Sequence, residues 1–234
     1  MSNNQQYNLW FVNQSVSAGK VCVYQDEGNV TANQANLKIL AWMLTGANPS
    51  VQVNFKWTTD YNFAWFDYSS PRSQQIIAAS IDTGNSVKFS RNQYGYYFQA
   101  PTTNSPSGQL SIQSDNSIPL VDTTVVGIGL HNAGTFAYPA KPNINSVFKP
   151  VQDSNLKYWI SFGSYLFEEN DPIDVLSLNV PAKISFPYGV YKMTAVLNPD
   201  NQWTIYPGPP DTLNILRMSP MIVYEAGKGI VCCE

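Results

Sequence analysis

The sequence predicts an all-β protein: an antiparallel β-sandwich with at most one or two short helices. Three observations carry that expectation. Apolar and polar residues alternate with period two through most of the chain, as in strands with one buried face. Turn residues recur between the runs, and the 16 prolines fall between them rather than inside them. Helical periodicity is scarce.

The elements follow in order. Val21-Cys22-Val23-Tyr24 is an apolar strand-like run in which Cys22 reads as a small buried thiol. Ala35–Leu44 fits either a short buried helix, with Leu37, Leu40 and Leu44 on one face, or a strand. Val51, Val53, Phe55 and Trp57 alternate with Gln52, Asn54 and Lys56, which makes a half-buried strand. Thr58-Thr59-Asp60 then reads as a turn, after which Tyr61, Phe63 and Trp65 keep the same odd phase. Trp57, Tyr61, Phe63 and Trp65 are therefore expected in the core. Ser86–Arg91, the turn Asn92–Gly95 and Tyr96–Gln99 form a hairpin, with Gly95 suited to a left-handed position. Gln109–Gln113 alternates and stops at Asp115-Asn116.

Thr124–Leu130, the turn His131–Gly134 and Thr135–Tyr138 make another hairpin. Further strands are expected at Asn145–Lys149, Tyr158–Phe162, Ala182–Phe186, Val190–Leu197, Gln202–Tyr206 and Met221–Tyr224, with Asn198-Pro-Asp-Asn201 supplying the clearest turn. Asp171–Leu178 can hold one helical turn with Pro172 at its first position. No repeat and no Gly/Ser-rich or charge-rich linker divides the 234 residues, so a single domain over 1–234 is expected.

Composition narrows the function. Charged residues make up 12% of the chain, about half the usual share. With 13 basic against 16 acidic residues, no basic excess exists to neutralise phosphates, which excludes nucleic acid as the main partner. The 23 Asn and 14 Gln outnumber all 29 charged side chains, so the exterior is rich in neutral amides. Hydrophobic content of 44% with 13% aromatics argues against disorder. The polar start Met1-Ser-Asn-Asn-Gln-Gln lacks the basic and apolar regions of a signal peptide, and no apolar run reaches membrane-spanning length, so a cytoplasmic protein is expected.

Few residues suggest chemistry. His131 lies in Gly127-Ile-Gly-Leu-His-Asn-Ala-Gly134, but Asn132 stands where a dinucleotide fingerprint needs its third glycine, and the glycines read instead as serving a tight hairpin. No nucleophile-elbow sequence accompanies it. No catalytic residue, cofactor or metal is expected; Glu168, Glu169, Asp171 and Asp174 are the best hard-cation candidates, without EF-hand spacing. Adjacent Cys232 and Cys233 are candidate intermolecular thiols. The Tyr94, Tyr96 and Tyr97 hairpin must present rings to both faces of its sheet, which makes it the candidate contact surface.

Several stretches occur together and in order across roughly residues 8 to 206: Val21–Gln25; Leu40-Ala-Trp42; Phe55-Lys-Trp-Thr-Thr-Asp-Tyr-Asn-Phe-Ala-Trp65; Val126–Leu130 with Ala133–Phe136; Tyr158-Trp159 with Phe162-Gly163; and Phe186–Ala195. With these the chain resembles the RhiA-like proteins, named for a rhizosphere-expressed bacterial protein and found also in other bacteria and fungi. The Trp-Thr-x-Asp-Tyr-x-Phe-x-Trp block is the distinctive part. The resemblance implies a cytoplasmically made, non-catalytic β protein and brings no catalytic residue set. Small residues follow the Gly-x-Gly strand in that pattern where this chain has His131, which weakens a catalytic histidine further. The segment from about 207 to 234 matches least.

The expected function is therefore a non-enzymatic β-sandwich acting through surface contacts. Self-association into a structural, storage or crystal-type assembly comes first, or binding to a macromolecular partner. A lectin-like carbohydrate-binding module is the alternative, and a membrane-active, toxin-like β protein the second alternative.

Overall fold

The computed structural model describes residues 5–69, 71–120, 123–151, 156–210 and 221–233, and the side chains of all of these except 232 and 233. It is an all-β protein. In chain order the first strands are β1 (Gln6–Asn13), β2 (Gly19–Gln25), β3 (Val30–Ala32), β4 (Lys38–Leu40), β5 (Met43–Ala47), β6 (Gln52–Thr58) and β7 (Tyr61–Asp67). Next come β8 (Ser73–Ala78), β9 (Ser86–Asn92), β10 (Gly95–Phe98), β11 (Leu110–Ser114), β12 (Thr124–Leu130), β13 (Ala133–Pro139) and β14 (Asn145–Pro150). The last are β15 (Lys157–Gly163), β16 (Pro172–Ile173), β17 (Ala182–Ser185), β18 (Lys192–Leu197), β19 (Trp203–Pro207), β20 (Met221–Glu225) and β21 (Gly229–Cys233). The only helical turns among the described residues are 3₁₀ turns at Glu27–Asn29 and Val175–Ser177.

The segment open to helix or strand is two strands, β4 and β5, separated by Ala41 and Trp42. The Asp171–Leu178 turn is real but starts later than Pro172: Asp174 caps it, its carboxylate accepting the Leu176 N–H at 3.1 Å. β1, β3, β8 and β21 lie outside the strands read from the sequence, because their residues alternate weakly or run apolar on both faces, and the two-residue β16 stands where a helical turn was expected.

The chain forms two compact units: Met1–Asp26, Ala41–Thr59 and Asp153–Glu234 in the first, Glu27–Leu40 and Asp60–Gln152 in the second. In the first unit, one sheet has the order β19-β18-β1-β6-β20-β21 and the other β17-β15-β2-β5. Their facing side chains interlock: the Trp57 and Tyr158 ring centroids lie 5.1 Å apart, Trp42 and Tyr158 stack at 5.7 Å, and Phe11 stacks on Phe162 at 5.6 Å. Trp57 Nε1 donates to Tyr158 Oη at 3.3 Å, so the indole N–H of one fully buried ring finds its acceptor on another. Cys22 is buried here as expected, and burial pushes its thiol up from its ordinary pKa.

In the second unit, one sheet has the order β10-β9-β11-β14-β3, and the facing sheet carries the run β4-β13-β12-β7-β8. Phe63, Trp65, Phe89, Phe98, Ile112, Ile128, Phe136, Tyr138 and Phe148 fill the space between them. Most pairings are antiparallel, but β1 with β18, β6 with β20 and β9 with β11 are parallel. Trp57 and Trp65 share a strand phase yet enter different cores: Thr58 belongs to β6, and Thr59-Asp60, expected to turn, is instead a two-residue link without turn conformation that carries the chain from the first unit to the second. Gln52 and Asn54 are buried rather than in water, on a strand, β6, that lies inside its sheet between β1 and β20.

Candidate functional site

The candidate surface is built on one side of the second unit, where β10 ends one sheet and β8 ends the other. β9 and β10 pair in the register Asn92↔Gly95 to Phe89↔Phe98, so the loop is the two residues Gln93 and Tyr94. Gly95 sits at φ 123°, a conformation that favours glycine, and Asn92 Oδ1 accepts the Tyr94 N–H at 2.8 Å to close the turn. This geometry holds Tyr94 at the tip with 88% of its surface exposed.

The three tyrosines do not share a face. Tyr96 turns inward, stacked on Phe89 at 5.6 Å and 12°, with Trp65 at 5.7 Å and the Arg91 guanidinium 5.5 Å from its ring centre. Tyr97, one residue on, projects from the opposite face of the sheet and is half-buried. Tyr94 and Tyr97 are thus available for contact, while Tyr96 packs on the core.

Asp115 braces the base of the hairpin. Its carboxylate accepts from Ser90 Oγ at 2.7 Å, from the Ser117 N–H at 2.9 Å and from Ser117 Oγ, and pairs with Lys88 Nζ at 3.3 Å. Ser117 Oγ in turn accepts the Arg91 N–H at 2.8 Å, continuing β9 beyond the end of its pairing with β11. Partial burial works against ionisation of Asp115, but the bonds from Ser117, Ser90 and Lys88 outweigh it and hold the carboxyl down at about 2.

Gln75 joins the two edges. On β8, its Oε1 accepts both Trp65 Nε1–H at 3.1 Å and the Phe98 N–H at 2.8 Å. The Gln99 N–H donates to Lys88 O at 2.9 Å, which makes Tyr97 and Gly95 the ladder-bonded residues of β10 and turns the Tyr96 and Phe98 backbone groups outward. Gln75 therefore caps one outward donor of β10. The same reasoning applies to β8: the Ala79 N–H donates to Tyr61 O at 3.0 Å, so Ser73, Gln75 and Ile77 bond to β7, and Gln74, Ile76 and Ala78 point their backbone groups away from the sheet. Sequence reading missed Gln75, and its only signal is an amide beside isoleucines.

The other singled-out residues have local roles. His131 and Asn132 take φ values of 50° and 60°, the backbone of a two-residue hairpin turn between β12 and β13. The Asn132 N–H donates to Asn62 Oδ1 at 3.1 Å. At Gly129, a Cβ would stand 1.6 Å from Ala133 O, so this glycine serves the close approach and register shift beside the turn rather than a phosphate.

The acidic residues are spread over separate duties. Asp171 Oδ2 accepts the Glu168 N–H at 2.9 Å, Asp174 caps its 3₁₀ turn, and Glu169 accepts from Tyr224 Oη at 2.6 Å. Among the described residues no group of three or more His, Cys, Asp or Glu is arranged to hold a metal ion. The backbone of Cys232 and Cys233 lies in β21, opposite Val223 and Ile222; their side chains lie outside those described. No helix among the described residues is long and apolar enough to cross a membrane.

A family model, RhiA, matches residues 4–208, which span β1 through β19 and leave β20 and β21 outside. The chain is similar to Protein RhiA of Rhizobium leguminosarum bv. viciae, at 28% identity over 215 residues that cover 88% of this chain and 89% of that protein. No solved structure matches it.

Proposed function

The chain belongs to the RhiA family, and from that premise we propose that it is a non-enzymatic protein of the cytoplasm that acts by surface contact, associating with copies of itself. The observation that carries this reading is Tyr94, a large ring held almost wholly in solvent at the tip of a braced two-residue hairpin. A rigid aromatic with few rotatable bonds loses little entropy on contact, which is why such residues dominate association surfaces. The surrounding chemistry fits like-to-like packing. With 12% charged residues and a net charge of −3, little repulsion opposes the approach of identical molecules.

Light scattering on the full-length chain across a concentration series tests the proposal. Association that weakens in Tyr94→Ser and Tyr97→Ser, with unchanged circular dichroism, supports it; a strict monomer at the highest concentration overturns it. Running the series with and without reductant reads whether Cys232 and Cys233 link copies. A carbohydrate-binding reading draws on the same tyrosine, flanked by the amides of Asn92 and Gln93, which suit a sugar face and its hydroxyls. Quenching of tyrosine or tryptophan emission by a glycan, abolished in Tyr94→Ser, would favour it.

A further inference from the structure

Resting on the self-association reading, we propose that β8 pairs antiparallel with β8 of a second copy across a two-fold axis at Ile76. Gln74, Ile76 and Ala78 each turn one backbone donor and one acceptor outward, and among the described residues no protein group hydrogen-bonds to them. An open strand edge of this kind is a template for another strand unless the sequence blunts it.

The other terminal strands of this unit are blunted. β10 has four residues, begins at Gly95, carries Arg91 beside it and has its Phe98 N–H capped by Gln75. β3 has three residues. β8 has six residues in unbroken register with β7, and from Ser73 to Ile81 there is no charge, proline or glycine. Gln74 and Ala78 are exposed, so one face of the strand stands clear at both ends of the pairing segment.

The sequence around β8 matches itself. A two-fold axis at Ile76 sets Gln74 of each copy opposite Ala78 of the other, a long side chain over a small one, and turns the outward donors of one strand to the acceptors of the other. Arg72, whose guanidinium lies 5.5 Å from the Tyr68 ring centre, precedes β8, and Asp82 lies in the turn that follows it; the two-fold axis sets the Arg72 end of one strand beside the Asp82 end of the other, and both residues are exposed. Opposite charges therefore flank both ends of the contact, and no like charges meet. The isologous arrangement closes on itself as a dimer.

Charge placement on the full-length protein tests both partner and register. The Gln74→Lys, Ala78→Lys double variant sets Lys against Lys twice and should weaken dimerisation roughly tenfold. Gln74→Lys with Ala78→Glu sets Lys against Glu twice and should dimerise at least as tightly as wild type. Gln74→Pro removes an outward N–H and no ladder bond, and should also lose the dimer while its circular dichroism is unchanged. If wild type associates and the Lys-Lys variant and Gln74→Pro associate equally well, β8 is not the contact and this proposal falls while self-association stands. If Lys-Glu dissociates like Lys-Lys, the register falls. A wild type monomeric at all concentrations overturns both readings.

Discussion

Tyr224 Oη donates to Glu169 Oε2 at 2.6 Å, tying β20, which lies beyond the family match, to the acidic loop that precedes β16. Burial pushes the Glu169 carboxyl above its ordinary range, more than the bond from Tyr224 pulls it down. A carboxyl raised on folding contributes stability that is full below its ordinary pKa of about 4.3 and is lost as pH rises through its higher folded value. The stability of wild type relative to Glu169→Gln should therefore fall as pH rises above the ordinary carboxylate value, read from urea midpoints at each pH. A constant difference would show that Glu169 titrates alike in the folded and unfolded chain.

Asp115 should behave in the opposite sense. Its folded pKa is held down at about 2, so its contribution is present above the ordinary carboxylate value and is lost as pH falls through about 2. Asp115→Asn should be less stable than wild type at pH 7 and approach it in strong acid. Thermal melts across that range check this, and amide exchange at Arg91 should quicken in the variant as the Ser117 link loosens.

Gln75→Ala should cost about 1–3 kcal/mol, because it leaves the Trp65 indole N–H and the Phe98 N–H without their shared acceptor. A red shift in tryptophan emission should accompany the loss in denaturant midpoint. Gln75→Glu keeps an acceptor at the same place and should lose less.

Tyr158→Phe should cost about 1–3 kcal/mol as well, since it removes the acceptor of a fully buried Trp57 N–H and changes little else in the ring cluster. Chemical denaturation measures this directly. Adding Trp57→Phe to Tyr158→Phe should give a total loss smaller than the sum of the two single losses, the signature of a coupled pair.

Neither unit is a continuous stretch of chain: 27–40 is inserted between the paired strands β2 and β5, and 60–152 between β6 and β15. Folding of the first unit, with β2 paired to β5 and with β6 and β15 held in its two sheets, fixes the ends of both insertions, which lowers the loop-closure cost for the second. The single-domain expectation over 1–234 accordingly takes the form of one calorimetric transition. Two resolved transitions would show that the units unfold separately.

Residues whose meaning is local were legible. The Asn92–Gly95 turn depends on a left-handed glycine and a side-chain acceptor within a few residues, so local sequence revealed it; the turn read over His131–Gly134 is tighter, His131 and Asn132 alone, because Ala133 and Gly134 already pair in β13. Alternation likewise marked most strands and the all-β class. It could not reveal Tyr96 turning inward while Tyr94 stays in solvent, because both lie in one hairpin.

The sequence by itself determined an all-β chain, its main hairpins and an exterior poor in charge, since these follow from backbone preference and two-residue periodicity. Only the tertiary structure decided that Trp57 and Trp65 enter different cores, that β6 and β20 run parallel, that Gln75 bridges two edges, and that β8, paired with β7 on one side, has no strand on the other among the described residues. The reason is physical. Periodicity states which side chains share a face of one strand, whereas neighbours in a sheet are chosen by hydrogen bonds and packing between residues far apart in the chain.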